Sequence, residues 1–299
     1  MSVQKTYTVF GATGNIGKVV AQNLLKEGHQ VQIVVRSEEK AADLIKAGAQ
    51  AMVGSLEDRS FVDRVLAHID AAFLMIPPHF GVDNYRAWQN EIGAIQAQAI
   101  ERNDISHVVQ LSSVGAQLSD GTGPIAGLHD QEQRLNQIPG LNVVNLRPAY
   151  FLENLLEGIQ TIHDGFVGSV LHPDVRFPMI ATRDIGAVAA QVLSDLDFQG
   201  SQVRELQGAG NYCLKDVTEA LSVALNRPIQ FVQYQPEDAR GAMEGMGMPS
   251  GLVSTYLELF DAINQGRITY EPRSAATTTP TSLKDFVPTL LQASKLVPA

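Results

Sequence analysis

Short apolar runs and amphipathic stretches alternate along the first half of the chain. Thr6 to Phe10 reads as a buried strand, and Asn15 to Glu27 as a helix with Ile16, Val19, Val20 and Leu24 on one face. Gln30 to Val35 is β-branched and strand-like. Glu38 to Lys46 is helical and closed by Gly48, Ala51 to Val53 is a short strand, and Asp58 to His68 is a helix. Ala71 to Ile76 is a strand stopped by Pro77 and Pro78, and Tyr85 to Arg102 is a long helix. His107 to Leu111 predicts a strand that runs into a Gly- and Ser-rich loop, followed by a helix over His129 to Asn136 and a strand over Leu141 to Leu146. Such alternation implies parallel strands joined by right-handed helical crossovers. The strands are almost wholly apolar, as expected where helices cover both faces of a sheet. The expected fold class is therefore α/β, a doubly wound parallel sheet.

Beyond Pro148 the rhythm loosens. Arg176 to Ile180 reads as a strand and Arg183 to Leu193 as a helix, and this pair near 176–195 is expected to return to the main sheet. Lys215 to Leu225 is an amphipathic helix with Val217, Ala220, Leu221, Ala224 and Leu225 at helical spacing, and Ile229 to Gln235 is strand-like. The Gly- and Met-rich stretch Gly241 to Gly251 reads as a loop. Thr281 or Ser282 is placed to cap a last helix that ends near Leu291. The expected organisation is a main domain over 1–155, with a smaller C-terminal α/β domain on the substrate side over most of 156–299.

The opening turn changes this from a fold into a candidate binding site. In Val9-Phe10-Gly11-Ala12-Thr13-Gly14-Asn15-Ile16-Gly17 a strand precedes three spaced glycines and an amphipathic helix follows. This is the context of a dinucleotide fingerprint, here spaced G-x-x-G-x-x-G. Gly11 permits the sharp turn, Gly14 lets backbone approach a pyrophosphate, and Gly17 lets the helix pack close to the strand. Thr13, Asn15 and Ile16 then sit where free helix N–H groups meet phosphate. The main domain is accordingly expected to be of Rossmann type. The second strand is followed by Arg36, with Ser37 and Lys40 nearby. An acidic residue there would accept from ribose hydroxyls, whereas arginine suits a 2′-phosphate, so NADPH is expected in preference to NADH. The other reading leaves Arg36 a solvated surface residue and gives the ribose to Glu38 or Glu39.

Composition narrows the partners. The 299 residues carry 22 Lys plus Arg against 32 Asp plus Glu, a formal net charge of −10, which disfavours a nucleic-acid partner. The single cysteine, Cys213, permits no intrachain disulfide and fits a reducing, cytoplasmic location. No signal-peptide pattern and no apolar run of membrane-spanning length is present, so no membrane partner is expected. The seven histidines show no metal-ligand spacing with one another or with Cys213, so no metal is expected.

Several segments together resemble the NmrA-like branch of the atypical short-chain dehydrogenase/reductases. They are Gly11-Ala-Thr-Gly-Asn-Ile-Gly17, Val35-Arg36-Ser37, Gln110-Leu-Ser-Ser113, Leu146-Arg-Pro-Ala-Tyr-Phe-Leu-Glu-Asn154 and Ala181-Thr-Arg-Asp-Ile-Gly186. The resemblance spans nearly the whole chain, and the Leu-Arg-Pro…Glu-Asn stretch is its more specific piece. It implies NAD(P)(H) binding in a cleft between a Rossmann domain and a small C-terminal domain. Some members of that branch are quinone or triphenylmethane dye reductases, and others are redox sensors that regulate a protein partner without turnover.

The Tyr-x-x-x-Lys proton relay typical of short-chain dehydrogenases is missing. Tyr85 is followed at the fourth position by Gln89 and Tyr150 by Asn154, while Tyr212 meets Lys215 one residue too early. The position resembling the family tyrosine is His129, with Gln133 four residues on. An unactivated ketone needs its oxygen protonated as hydride arrives, whereas a quinone or a cationic dye is already electrophilic. The favoured expectation is therefore an NADPH-dependent reductase of a planar, conjugated electrophile. The alternative is a non-catalytic dinucleotide sensor.

Ser112 and Ser113 follow the fifth strand at the carboxyl edge of the sheet, where ligands bind. They are expected either to hydrogen-bond nicotinamide or acceptor, or merely to satisfy backbone groups. His129 either donates a proton or is a plain helix-start histidine. Ile76, Pro77, Pro78 and Pro148 are expected to wall the cofactor, with His79 and Phe80 at the acceptor. Tyr150 and Phe151 either stack on the acceptor or pack a domain interface. Met243, Met246 and Met248 form an adaptable lid or ordinary core.

Overall fold

A computed structural model describes residues 4–293. The first half runs β1 (Thr6–Val9), α1 (Asn15–Lys26), β2 (Gln30–Val35), α2 (Ala42–Lys46), β3 (Gln50–Val53), α3 (Arg59–Val65), β4 (Ala71–Leu74), α4 (Tyr85–Arg102), β5 (His107–Leu111), α5 (Ile125–Asn136) and β6 (Asn142–Pro148). The second half runs β7 (Tyr150–Phe151), α6 (Ile159–His163), β8 (Phe166–Ser169), β9 (Phe177–Ile180), α7 (Thr182–Asp195), β10 (Ser201–Leu206), β11 (Gly210–Tyr212), α8 (Leu214–Leu225), β12 (Gln230–Gln233), α9 (Pro236–Gly245), α10 (Ser250–Asn264) and α11 (Leu283–Ala293).

The main sheet has seven strands in the order β10-β6-β5-β4-β1-β2-β3, and every neighbouring pair is parallel. This is a Rossmann-like α/β sheet. The strand order reverses between β1 and β4, so the crevice for a ligand opens at the carboxyl ends of those two strands. One hydrophobic layer, including Val20, Leu24, Ile33, Val109, Val144 and Leu193, lies beneath α1 and α7. The other, including Val62, Ile95, Ile100, Val108 and Val143, lies beneath α3, α4 and α5.

Two differences from expectation concern the second half. Helix α7 returns to the main sheet and packs on α1, but β9 does not. It forms a three-stranded sheet with β7 and β11, and the main sheet is completed instead by β10. Ser201 to Arg204 of β10 are exposed, so this edge strand lacks the apolar run that marks the others. The second difference is the Gly- and Met-rich stretch, which is largely the helical pair α9 and α10 rather than a loop. Met246 is 76% exposed and Met243 and Met248 half-buried, so this cluster is not core. No helix among the described residues is long and apolar enough to cross a membrane.

Candidate functional site

The turn after β1 is shaped by contacts that tolerate no side chain. Gly11 has φ +66°, and a Cβ there would lie 2.8 Å from the Met75 sulfur. A Cβ on Gly17 would lie 2.4 Å from the Gly11 carbonyl oxygen. The Gly14 amide donates to the Gly11 carbonyl at 2.9 Å, and the helix proper begins with Lys18 donating to Gly14. No side chain caps α1, and no acidic residue lies in its first turn. Its opening N–H groups therefore keep their donor capacity and their positive end for an anion. Thr13, Gly14 and Asn15 are exposed, while Ile16 is buried beneath them. A cradle of this kind fits a dinucleotide pyrophosphate.

Beside it, β2 delivers Arg36 into solvent. Arg36, Ser37 and Lys40 are all exposed, and Arg36 has no hydrogen bond or ion pair among the described residues. Glu38 and Glu39 are exposed as well, and Glu39 opens a single 3-10 turn that runs into α2. The loop after β4 leaves immediately next to the glycine turn, with Met75, Ile76 and Pro77 half-buried and Pro78, His79 and Phe80 exposed. His79 meets Trp88 edge to face at 5.2 Å, and Phe80 stacks against Tyr256 of α10.

The loop after β5 carries the other candidates. The Ser112 hydroxyl donates in a very short contact to the Glu132 carboxylate on α5, which Arg147 of β6 grips with Nε at 2.9 Å and Nη2 at 2.5 Å. Glu132 is 1% exposed, so its charge requires this bidentate partner. Ser112 therefore spends its proton on the scaffold and keeps only lone pairs with which to accept from a ligand amide. The Ser113 hydroxyl donates to the Val114 carbonyl at 3.0 Å.

Helix α5 begins at Ile125, four residues before His129, so His129 lies in its second turn rather than at its start. Its Nδ1 lies 2.8 Å from the Ala116 carbonyl oxygen. A carbonyl only accepts, so Nδ1 carries the hydrogen. That assignment leaves Nε2 as the exchangeable position, an acceptor when the ring is neutral and a donor when it is protonated.

Pro148 closes β6, and β7 carries Tyr150 and Phe151 into the small sheet against Met179 and Ile180. Tyr150 meets Phe177 edge to face at 5.3 Å and borders a small pocket with Leu155, Ile162, Val167 and Leu214. Phe151 packs on the core. Both aromatics thus pack the junction between the main sheet and the small one, and Tyr150 also has a face on a pocket. Among the described residues no group of His, Cys, Asp and Glu is placed to hold a metal.

Reasoning from sequence missed the residues that brace this site. Glu132 and Arg147 are one example. Asp83 and Tyr256 are another, and they tie α10 to the loop after β4. Tyr256 had a readable signal, because Leu252, Val253, Tyr256 and Phe260 recur at helical spacing. Two family-like segments also prove structural. The Glu153 carboxylate takes the Thr182 amide at 3.0 Å and its hydroxyl at 2.6 Å, and Asp184 takes the Thr281 amide at 3.0 Å and hydroxyl at 2.8 Å.

Comparison with known proteins follows the same lines. The model of the NmrA-like family matches residues 3–279. An NAD(P)H azoreductase of Xenophilus azovorans is 29% identical over 256 residues, covering 84% of this chain and 85% of that one. An NADPH-dependent quinone oxidoreductase of Escherichia coli, solved with NADPH, superposes with a TM-score of 0.81 at 19% identity, covering 95% and 99% of the two chains. A triphenylmethane reductase of Citrobacter sp. superposes with a TM-score of 0.80 at 19% identity, covering 97% and 99%. At such identities the two structures establish the fold alone.

Proposed function

The chain belongs to the NmrA-like family, and on that premise we propose that it is an NADPH-dependent reductase that passes hydride to a quinone or a similar conjugated electrophile. The observation that carries this reading is the cleared, uncapped start of α1 with the unpartnered Arg36 beside it. The relative that is an azoreductase, an enzyme for a planar conjugated acceptor, supports the substrate class.

The amides of Asn15, Ile16 and Gly17 would hold the pyrophosphate, and Arg36, with Ser37 and Lys40, would grip the 2′-phosphate. Ile76, Pro77, Pro78 and Pro148 would wall the dinucleotide at the carboxyl ends of β4 and β6. When bound, NADPH supplies a hydride, and the quinone takes up that hydride and one proton to become a hydroquinone. The chain has no Tyr-Lys relay to deliver the proton. The hydroquinone oxygen is protonated from water or from Nε2 of His129, whose ring is oriented by the Ala116 carbonyl. Ser112 accepts from the carboxamide or the acceptor rather than donating to it. His79, Phe80 and Tyr150 would border the acceptor. Orientation of a flat acceptor against the nicotinamide supplies most of the acceleration.

Anaerobic mixing with NADPH and a panel of quinones, followed by nicotinamide absorbance, tests this reading. Acceptor-dependent oxidation is expected. Tight NADP(H) binding with no oxidation by any quinone or dye would instead favour a sensor acting on a protein partner.

A further inference from the structure

Past the end of β6, Arg147 and Glu153 are committed to the scaffold and Asn154 is not. Arg147 grips Glu132, and Glu153 takes the amide and the hydroxyl of Thr182. Asn154, in the 3-10 segment Leu152–Gly158 that follows β7, is half-buried and makes no hydrogen bond among the described residues. It lines the recess that Tyr150 borders. The Val114 amide, in the loop after β5, donates to the Pro148 carbonyl at 3.1 Å, and the Ala149 amide donates to the Leu206 carbonyl at 2.8 Å. The chain that leads into the recess is thus fixed at the carboxyl edge of the main sheet, where ligands bind.

The walls of the recess are Leu155, Ile162, Val167, Leu214 and Val217, each at most 8% exposed. None of the described residues that line it is charged, so an ionic group would lose its hydration there without a counter-ion. At Gly168 a Cβ would overlap the Tyr234 hydroxyl, so Tyr234 packs directly on the backbone of that wall. The volume is about 50 Å³. An apolar cavity of about 150 Å³ holds benzene, so this one takes on the order of two heavy atoms and no ring. Two hydrogen-bonding side chains line the same small space. The Ser169 hydroxyl oxygen accepts from the Leu171 amide at 3.1 Å, which leaves its hydrogen to donate. The Asn154 amide nitrogen brings further N–H donors. Donors from two sides around so small a volume suit an oxygen that only accepts.

We propose that this recess is the subsite for a methoxy substituent of the acceptor, with Asn154 and Ser169 donating to the ether oxygen and the apolar walls covering the methyl group. Asn154 is then a specificity-determining residue. This rests on the reading of the acceptor given above. An ethyl substituent fills the same space and covers the same walls, but it accepts nothing and leaves the donors unpaired.

The full chain saturated with NADP+ is titrated in a calorimeter with methoxytrimethyl-para-benzoquinone and with ethyltrimethyl-para-benzoquinone, neither of which has an open ring position for a nucleophile to attack. The methoxy compound is expected to bind about three- to tenfold more tightly. Asn154→Asp keeps the shape and loses the N–H donors, and Asn154→Leu keeps the volume and loses all polarity. Each should remove most of that preference while NADPH affinity stays at its native value. Turnover with NADPH should show the same loss in the ratio of kcat/KM for the two quinones, a comparison between proteins that cancels their unequal electrophilicity. The subsite is overturned if the unaltered chain binds the two quinones equally or binds neither, or if the preference survives both substitutions. An Asn154-dependent preference in binding without any NADPH oxidation would keep the subsite and overturn the hydride-transfer reading. Oxidation of NADPH with no preference between the two quinones would do the reverse.

Discussion

Single atoms decide whether the opening turn can hold a phosphate. A Cβ at Gly17 would meet the Gly11 carbonyl oxygen at 2.4 Å, a contact of backbone on backbone that no rotamer relieves. Gly17→Ala is therefore expected to displace the turn, cost about 1–3 kcal/mol of stability and weaken NADPH binding at least tenfold. Thermal unfolding and a cofactor titration measure the two effects. His129 poses a different question. Its Nδ1 is tied to the Ala116 carbonyl, so any proton it delivers leaves from Nε2. His129→Ala should lower turnover toward the acid side of the pH profile, where a protonated ring can donate from Nε2, converge with the unaltered protein toward alkaline pH, and leave NADPH affinity unchanged. A superimposable profile would assign protonation to water. The glycines were legible in the sequence because their spacing follows a strand and opens a helix. The partner of Ser112 was not, since Glu132 lies 20 residues away and only the packing of α5 on β5 and β6 brings the two together.

At the level of elements, periodicity located most of the main sheet and failed for identifiable reasons. Gln30–Val35, Tyr85–Arg102 and His107–Leu111 have the bounds that their patterns imply. Strand β10 escaped because it lies at the sheet edge and shows polar residues to solvent. The first turn of α5 escaped because it contains Gly127, which reads as loop. Its glycine serves packing, since a Cβ there would lie 2.2 Å from the Gln89 side chain on α4. Helices α9 and α10 were hidden by glycines and methionines that suggest a flexible segment when read alone. Two residues between Leu146 and Asn154 brace the scaffold. Arg147 balances the buried Glu132, and Glu153 caps α7 and joins it to the strand that carries Tyr150. Glu153→Gln should cost about 1–2 kcal/mol, a loss of several degrees in Tm, while NADPH affinity stays within twofold. Differential scanning calorimetry on the variant checks this.

Across the whole molecule, the titrating carboxylates work in opposite directions. Arg86 forks onto Asp130 with two contacts of 2.7 Å, and Asn90 adds a third at 2.8 Å, which together hold the Asp130 carboxyl below its usual range. Its contribution is present above the unfolded value, about pH 4, and is lost as pH falls through the lower folded value. Glu205 is raised, chiefly by burial, although Gln207 and the Glu271 amide donate to it. Its contribution is complete below about pH 4 and declines as pH rises through the raised folded value. Asp130→Asn should therefore flatten the acid limb of a Tm–pH curve, and Glu205→Gln should flatten the decline above it. Curves parallel to that of the unaltered protein would contradict both assignments.

The central claim is that a phosphorylated nicotinamide dinucleotide sits on the amides at the start of α1, with Arg36 on its additional phosphate. Isothermal calorimetry of the unaltered chain and of Arg36→Ala, each titrated with NADPH and with NADH, tests it directly. The account predicts at least tenfold tighter binding of NADPH to the unaltered chain, as a charge-assisted phosphate contact provides, and near-equal affinities in the variant through loss of NADPH binding alone. No heat with either dinucleotide, or equal loss of both on removing the guanidinium, would contradict it.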